Sequence, residues 1–236
     1  MKSKIKSTYI TNFPAVCSSL CQESVWASAA GSSSFRKGGT MKVLVACEHS
    51  GRVREALRAR GHDAWSCDLV KSDDNSKYHI QNNVINLLDP FEQWDMMIAF
   101  PPCTYLCNSG VRWLKDNSER RAKMHYAAML FRNLLECPVP KIAIENPIPH
   151  KYAVERIGRK YDQIIQPYMF GEDASKATCL WLKNLPKLEP TKIIRRKRYA
   201  NQTPSGQNKL GPSADRARLR GITYQGIADA MADQWG

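Results

Sequence analysis

The stretch "MMIAFPPCTYLCNSG", residues 96–110, ends an apolar run in Pro101-Pro102-Cys103. A cysteine attacks carbon only as its thiolate, so a nucleophilic one is partly exposed and has N–H groups or a base nearby. Proline fixes φ near −65° and biases the preceding residue to extended geometry, so two in succession would make a rigid pedestal for Cys103. The bland alternative is a turn with a buried thiol. Glu145 raises a similar question: it closes the apolar run "KIAIE" and is followed by Asn146-Pro147. A carboxyl in that setting can be raised in pKa and share a proton with a ligand nitrogen, or it can simply pair with a cation.

A third cluster is "ACEHSGRV", residues 46–53. Small residues there let a ligand approach the backbone, and a helix beginning after it would offer unpaired N–H groups. It lacks G-x-G-x-x-G and a Walker lysine, which argues against dinucleotides and triphosphates. Asp68, about twenty residues on, is placed to accept hydrogen bonds from ribose hydroxyls, or else is a turn residue.

These residues need a frame, and from Met41 an α/β alternation supplies one. "KVLVAC" (42–47) reads as a strand, "GRVREALRARG" (51–61) as a helix, and "HDAWSCDL" (62–69) as a second strand. Such a βαβ unit expects a parallel sheet with a right-handed crossover. "WDMMIAF" (94–100) and "PKIAIENP" (140–147) are further strands around a helix over 117–137 that starts at Ser118. "QIIQPYMFG" and "ATCLWL" suggest a closing strand pair, and "GITYQGIADAMADQW" a final helix. In open α/β sheets ligands sit beyond the carboxyl ends of the strands. All four polar clusters fall there, which points to one site.

Composition narrows the partners. Lys and Arg number 35 against 22 Asp and Glu, a formal charge of +13, and such an excess favours polyanions. Eight cysteines occur, among them the C-x3-C pairs Cys17/Cys21 and Cys103/Cys107. Without a second pair or histidine couple at zinc spacing, the expectation is no metal and reduced thiols in a cytoplasm. No run is long and apolar enough for a membrane helix, so no membrane partner is expected. Residues 1–40 lack periodicity and a continuous apolar core; they read as a disordered basic leader rather than an export signal. "RKGGT" before Met41 can be encoded as a ribosome-binding site, so Met41 is an alternative start; residues 41–236 alone still carry 30 Lys/Arg against 21 Asp/Glu.

Pro-Pro-Cys at one strand end and Glu-Asn-Pro at the next resembles the cytosine-C5 DNA methyltransferases, which carry a Pro-Cys nucleophile motif and a Glu-Asn-Val motif in this order. The resemblance is closest to the short phage-type members and spans residues 41–236. It implies a Rossmann-like S-adenosylmethionine-dependent methyltransferase fold: a mostly parallel twisted sheet flanked by helices, with little or no target-recognition domain. It implies a DNA partner, S-adenosyl-L-methionine as cofactor, a monomer, and a cytoplasmic place of action in a bacterial host. Cys103 would attack C6 of cytosine and Glu145, with Asn146 beside it, would engage N3 and the exocyclic amine. The cofactor would lie against Cys47, Glu48, His49, Ser50, Gly51, Asp68, Asn83, Pro101 and Asp229. "FGEDASKATCLWL" resembles the family's Gln-x-Arg-x-Arg segment but offers Lys176 and Thr178 where arginines are usual. "IADAM" (227–231) has Asp229 in place of the family's asparagine.

Only residues 183–220 are available for target recognition. Lys192, Arg195, Arg196, Lys197 and Arg198 could grip phosphates, with Tyr199 to stack, or form a disordered basic loop. Low sequence specificity is the expectation. Two alternatives stay open: the same chemistry on RNA or a nucleotide, and an inactive DNA-binding protein that acts as a restriction decoy. A thiol oxidoreductase or hydrolase fits less well, because there is no C-x-x-C and His125 lies within a helical period.

Overall fold

The computed structural model describes residues 39–88, 93–213 and 215–236. The chain divides into two units, 1–39 and 40–236; residues 1–38 of the leader fall outside the described residues. Its strands are β1 (Lys42–Ala46), β2 (Asp63–Asp68), β3 (His79–Gln81), β4 (Met96–Ala99), β5 (Lys141–Pro147), β6 (Gln163–Ile165) and β7 (Thr178–Lys183). Its helices are α1 (Arg52–Ala59), α2 (Ser118–Glu136), α3 (Lys151–Ile157), α4 (Arg216–Gly221) and α5 (Gln225–Trp235).

The seven strands form one sheet in the order β3-β2-β1-β4-β5-β7-β6. The first five are parallel, and β7 runs antiparallel to both β5 and β6. The expected α/β class is therefore the one observed. After β3 the chain returns to the other side of β1, so the topological switch lies between β1 and β4, where open α/β sheets form their ligand crevice.

Alternation along buried strands builds two cores. Leu44, Met97, Ile142 and Ile144 point to one face, where Phe131, Leu134 and Trp181 cover them. Val43, Val45, Met96, Ile98 and Ala143 point to the other, under Val53 and Leu57 of α1 and Ile227, Met231 and Trp235 of α5. This is the period-two pattern of a strand buried on both sides. α2 starts one residue earlier than its sequence suggests: the cap is Asn117, whose Oδ1 accepts the Arg120 N–H at 2.7 Å. β3, α3 and α4 were not anticipated; each is short, and periodicity needs length to show.

Among the described residues no helix is long and apolar enough to cross a membrane. No group of three or more His, Cys, Asp or Glu among them could hold a metal ion.

Candidate active site at the carboxyl edge of the sheet

Register lines the site up. Ala46 pairs with Cys67 and with Ala99, and Ala99 pairs with Ile144. The next residues, Asp68, Cys47, Phe100 and Glu145, therefore form a row along the sheet's carboxyl edge. Strands lie about 4.8 Å apart, so Asp68 and Glu145, three strands apart, are separated by about 14 Å.

The loop after β4 is tied down at both ends. Phe100 N–H donates to the Ala46 carbonyl at 2.9 Å, and Asn146 Nδ2 donates to the Pro101 carbonyl at 2.9 Å. Cys103 then opens a tight turn, its carbonyl accepting from Leu106 N–H at 3.0 Å and Cys107 N–H at 3.1 Å. Cys107 bridges Pro149. Buried His150 completes the clamp: Nδ1 accepts the Ala153 N–H at 3.0 Å and caps α3, which leaves Nε2 to donate to the Tyr105 carbonyl at 3.0 Å. The loop that carries Cys103 is thus held by β1, by β5 and by the start of α3.

The Cys103 thiol sits within hydrogen-bonding reach of Cys107, and this contact is the largest of the effects that raise its pKa far above the ordinary cysteine value. Burial and the negative charge of Glu145 add to the rise, while the Lys176 ammonium opposes it. Cys103 at rest is a thiol, not a thiolate. The same forces show that Cys103, Glu145 and Lys176 share one electrostatic neighbourhood. Cys107, the other half of the C-x3-C pair, is a direct partner of the nucleophile candidate.

Glu145 is half-buried, and its Oε1 accepts the Thr178 hydroxyl at 2.7 Å. The antiparallel register of β5 with β7 makes this possible, since Thr178 pairs with Pro147 two residues on. Lys176 donates its ammonium to the Arg220 carbonyl at 2.9 Å, and its backbone N–H to Gln166 Oε1 at 2.9 Å. Glu145, Lys176 and Thr178 form one wall of a narrow cleft; Thr223, Tyr224 and Ile227, leading into α5, form the other. α5 can approach this closely because residue 226 is glycine: a Cβ there would run into the Phe170 carbonyl oxygen. Gly226 N–H donates to Glu172 Oε1 at 2.9 Å and locks the approach.

On the other side of the switch point, the 47–51 loop differs from its sequence reading in one respect. The first N–H groups of α1 are not free. Glu48, only 4% exposed, folds its carboxylate onto them and accepts from Val53 at 2.8 Å and Arg54 at 3.4 Å, with Ser50 Oγ adding a third bond at 3.3 Å. Burial outweighs these donors and pushes the Glu48 carboxyl up to about 7. Gly51 sits at φ 73°, and a Cβ there would strike the guanidinium of buried Arg54. That guanidinium is shared among Ser66 Oγ, Glu55 and Asp74. His49 Nδ1 lies 3.1 Å from Asp73, which also accepts from Arg218 of α4 at 2.9 Å. Cys47 itself takes a left-handed φ of 57° and turns the chain out of β1.

Asp68 is 5% exposed at the end of β2, and burial raises its carboxyl pKa; His49 and His79 pull the other way. It stands beside Cys47 in the row along the sheet's carboxyl edge. Two further residues that the resemblance assigns to the cofactor have partners within the protein. Asn83 spends its side chain on the 3-10 turn Val84–Leu87, accepting from Ile85 N–H at 3.1 Å. Asp229 is half-exposed, accepts from Gln225 at 3.1 Å and lies 3.8 Å from Arg60, near the far end of α1.

The basic segment is held along its backbone. Lys192 exchanges hydrogen bonds with the 169–171 stretch, and Ile194 N–H donates to the Tyr168 carbonyl at 2.8 Å. Arg195, Arg196, Lys197 and Arg198 are exposed, with Arg196 3.7 Å from Asp173. Tyr199 stacks on Tyr168 at 4.9 Å and 11°, so one of its faces is already used.

No protein-family model matches the chain, and no curated protein matches it. Solved structures are similar in backbone arrangement. One is described as a DNA modification methyltransferase encoded within an E. coli prophage: 15% identity, 66% of this chain against 52% of that one, TM-score 0.43. The Entamoeba histolytica methyltransferase EhMeth gives 17% identity, 66% against 58%, and TM-score 0.43. The S. pombe Dnmt2 methyltransferase gives 16%, 63% against 51%, and 0.41. The chain spans little more than half the length of these structures.

Proposed function

We propose that the chain is an S-adenosylmethionine-dependent methyltransferase that acts on C5 of a cytosine in nucleic acid, DNA in the first instance. The observation that supports this best is the pairing of Cys103 with Glu145 at the ends of neighbouring parallel strands. Asn146 fixes the nucleophile's loop from the residue adjacent to that carboxylate. A thiol beside a carboxylate, on a braced loop, fits addition to a ring carbon with proton exchange at a ring nitrogen.

In this reading the Cys103 thiol gives up its proton to solvent and Sγ bonds to C6 while Glu145 holds a proton at N3, so the electron pair of the C5–C6 double bond becomes available at C5. S-adenosylmethionine supplies the electrophilic methyl group. Loss of the C5 proton then returns the electrons and breaks the S–C6 bond. Glu145 keeps its orientation through Thr178, and its second oxygen carries no hydrogen bond among the described residues. Cys103 stays protonated until a base displaces it from Cys107, which limits stray alkylation of the free protein. Lys176 stands in for a more elaborate cationic clamp. Asp68, the 47–51 loop and Pro101 would hold the cofactor across the switch point, with Asn83 and Asp229 the further residues that the resemblance assigns to it.

The test is adduct trapping on DNA that carries 5-fluorocytosine, single- and double-stranded, with S-adenosylmethionine. Fluorine cannot leave as the C5 proton does, so wild type should accumulate a covalent complex and Cys103→Ser should not. Absence of any adduct, with the cofactor demonstrably bound, overturns the proposed chemistry.

A further inference from the structure

Beyond the loop that carries Cys103 lies a second concavity, separate from the Glu145 cleft. It is a cavity of about 330 Å³ lined by Tyr105, Trp113, Asn117, Glu119, Arg120 and Lys123, within the size range of small-ligand sites. Its makeup is unusual for an outward-facing surface. Trp113 is 55% exposed, with the Arg112 guanidinium 4.6 Å from its ring centre. Arg120 stands 5.1 Å over the Tyr105 ring and donates Nη2 to the Thr104 carbonyl at 3.3 Å. The buried Arg120 Nε has no hydrogen-bond partner among the described residues. Residues 112–123 hold five Lys or Arg against two carboxylates.

The inference rests on the nucleic-acid substrate proposed above. We propose that this groove binds a nucleotide that flanks the target base in a single-stranded segment, with the base stacked on Trp113 and Tyr105 and its phosphate toward Arg120. Stacking platforms interleaved with cations are how single strands are held without sequence reading, because every base has a π-face. The Arg120 guanidinium, held over the Tyr105 ring and against the Thr104 carbonyl, supplies the fixed cation beside that platform. Reach is right as well: Tyr105 is two residues from Cys103, about 7 Å of chain at most, while successive nucleotides of one strand advance about 3.4 Å along a helix axis. A duplex keeps its flanking bases stacked inside, so it has nothing to offer Trp113. The groove therefore favours a single strand over a duplex.

The test is fluorescence anisotropy of a labelled twelve-nucleotide oligo-dC and a duplex of equal length, with wild type, Trp113→Ala and Trp113→Phe. Trp113 is exposed, so neither change should disturb folding, and circular dichroism checks this. Trp113→Ala should weaken single-strand binding roughly 5- to 100-fold with little change in salt dependence, Trp113→Phe should recover most of it, and duplex binding should move less than twofold. Unchanged single-strand affinity in Trp113→Ala overturns the groove. So does loss of self-association in that variant by light scattering, which would mark the face as a contact between copies. The 5-fluorocytosine adduct is read separately. An adduct with unchanged affinity sinks the groove alone; weakened affinity without an adduct sinks the proposed chemistry alone. Wild type that binds no oligonucleotide but methylates a free cytosine nucleotide overturns the groove and keeps the chemistry.

Discussion

Asn146 and Pro101 are joined across the ends of β5 and β4, the Nδ2 amide donating to the proline carbonyl at 2.9 Å in a site where Asn146 is 1% exposed. Proline has no N–H of its own to give, so its carbonyl is the only backbone handle by which that residue can be gripped. The grip sits two residues from Cys103 and one residue from Glu145, so it fixes the distance between nucleophile and carboxylate.

Asn146→Ala should therefore cost rate more than it costs fold. A buried carbonyl left unpaired is worth about 1–3 kcal/mol, which lowers the melting temperature by roughly 2–4 °C per kcal/mol in a domain of this size. A displacement of about 1 Å at the nucleophile can cost roughly 100-fold in rate. Affinity for S-adenosylhomocysteine, measured by calorimetry, should fall far less than the rate, because Asp68 and the 47–51 loop are not touched by the change. Asn146→Asp should not rescue, since an ionised carboxylate cannot donate. A variant that methylates at the wild-type rate would show that the bond is ornamental.

Thiol reactivity offers a second check that needs no substrate. Glu145 and Cys107 both hold the Cys103 proton in place, and Lys176 loosens it. Cys103 should thus alkylate slowly with iodoacetamide at pH 8. Cys107→Ala should speed it most, because that contact is the largest cause of the raised pKa. Glu145→Gln should speed it less while abolishing methyl transfer, and Lys176→Met should slow it. Each pKa unit is about tenfold in thiolate. Peptide mass mapping assigns the modified residue; a Glu145→Gln protein with slower alkylation would contradict the electrostatic reading.

The central strands that carry the site were legible from the sequence because β1, β4 and the first half of β5 are buried on both faces and form short apolar runs. β4 and β5 needed only their ending residues to declare where the chemistry sits. The ties that make those ends a site were not legible. His150 looks like one more polar residue after a proline, and nothing local says that its ring reaches back to Tyr105. Glu48 looks like a ligand-facing carboxylate, yet a helix start with no side-chain cap of its own captures it. Arg54, a charged residue in the first turn of α1, is fully buried. Contacts between residues far apart in the chain decide His150 and Arg54, and for Glu48 a loop that folds back onto the next helix decides it.

His150 can be dissected because its two ring nitrogens do different work. His150→Asn should still cap α3, since asparagine is a favoured cap, but cannot also reach the Tyr105 carbonyl. His150→Ala loses both. Urea unfolding should place the asparagine variant about 1 kcal/mol above the alanine variant. Hydrogen exchange at Leu106 and Cys107 should be faster than wild type in both. Equal stability of the two variants would mean that the cap contributes nothing.

Glu48 makes the protein's stability depend on pH in an unusual direction. Its folded pKa is about 7 against an ordinary 4.5, so the folded state binds a proton that the unfolded chain has already released. Stability from this group is fully present below about pH 4.5 and is lost as pH rises towards 7, with a slope of at most ~1.4 kcal/mol per pH unit. Most carboxylates act the other way, which would mask the effect in wild type alone. Glu48→Gln isolates it: the amide oxygen can still accept the Val53 N–H, but there is no proton to lose. Urea midpoints between pH 4.5 and 8 should show the variant gaining on wild type as pH rises, with the gain levelling off above pH 7. A constant difference across that range would mean that Glu48 is charged throughout and that the α1 N–H groups, not its burial, set its state.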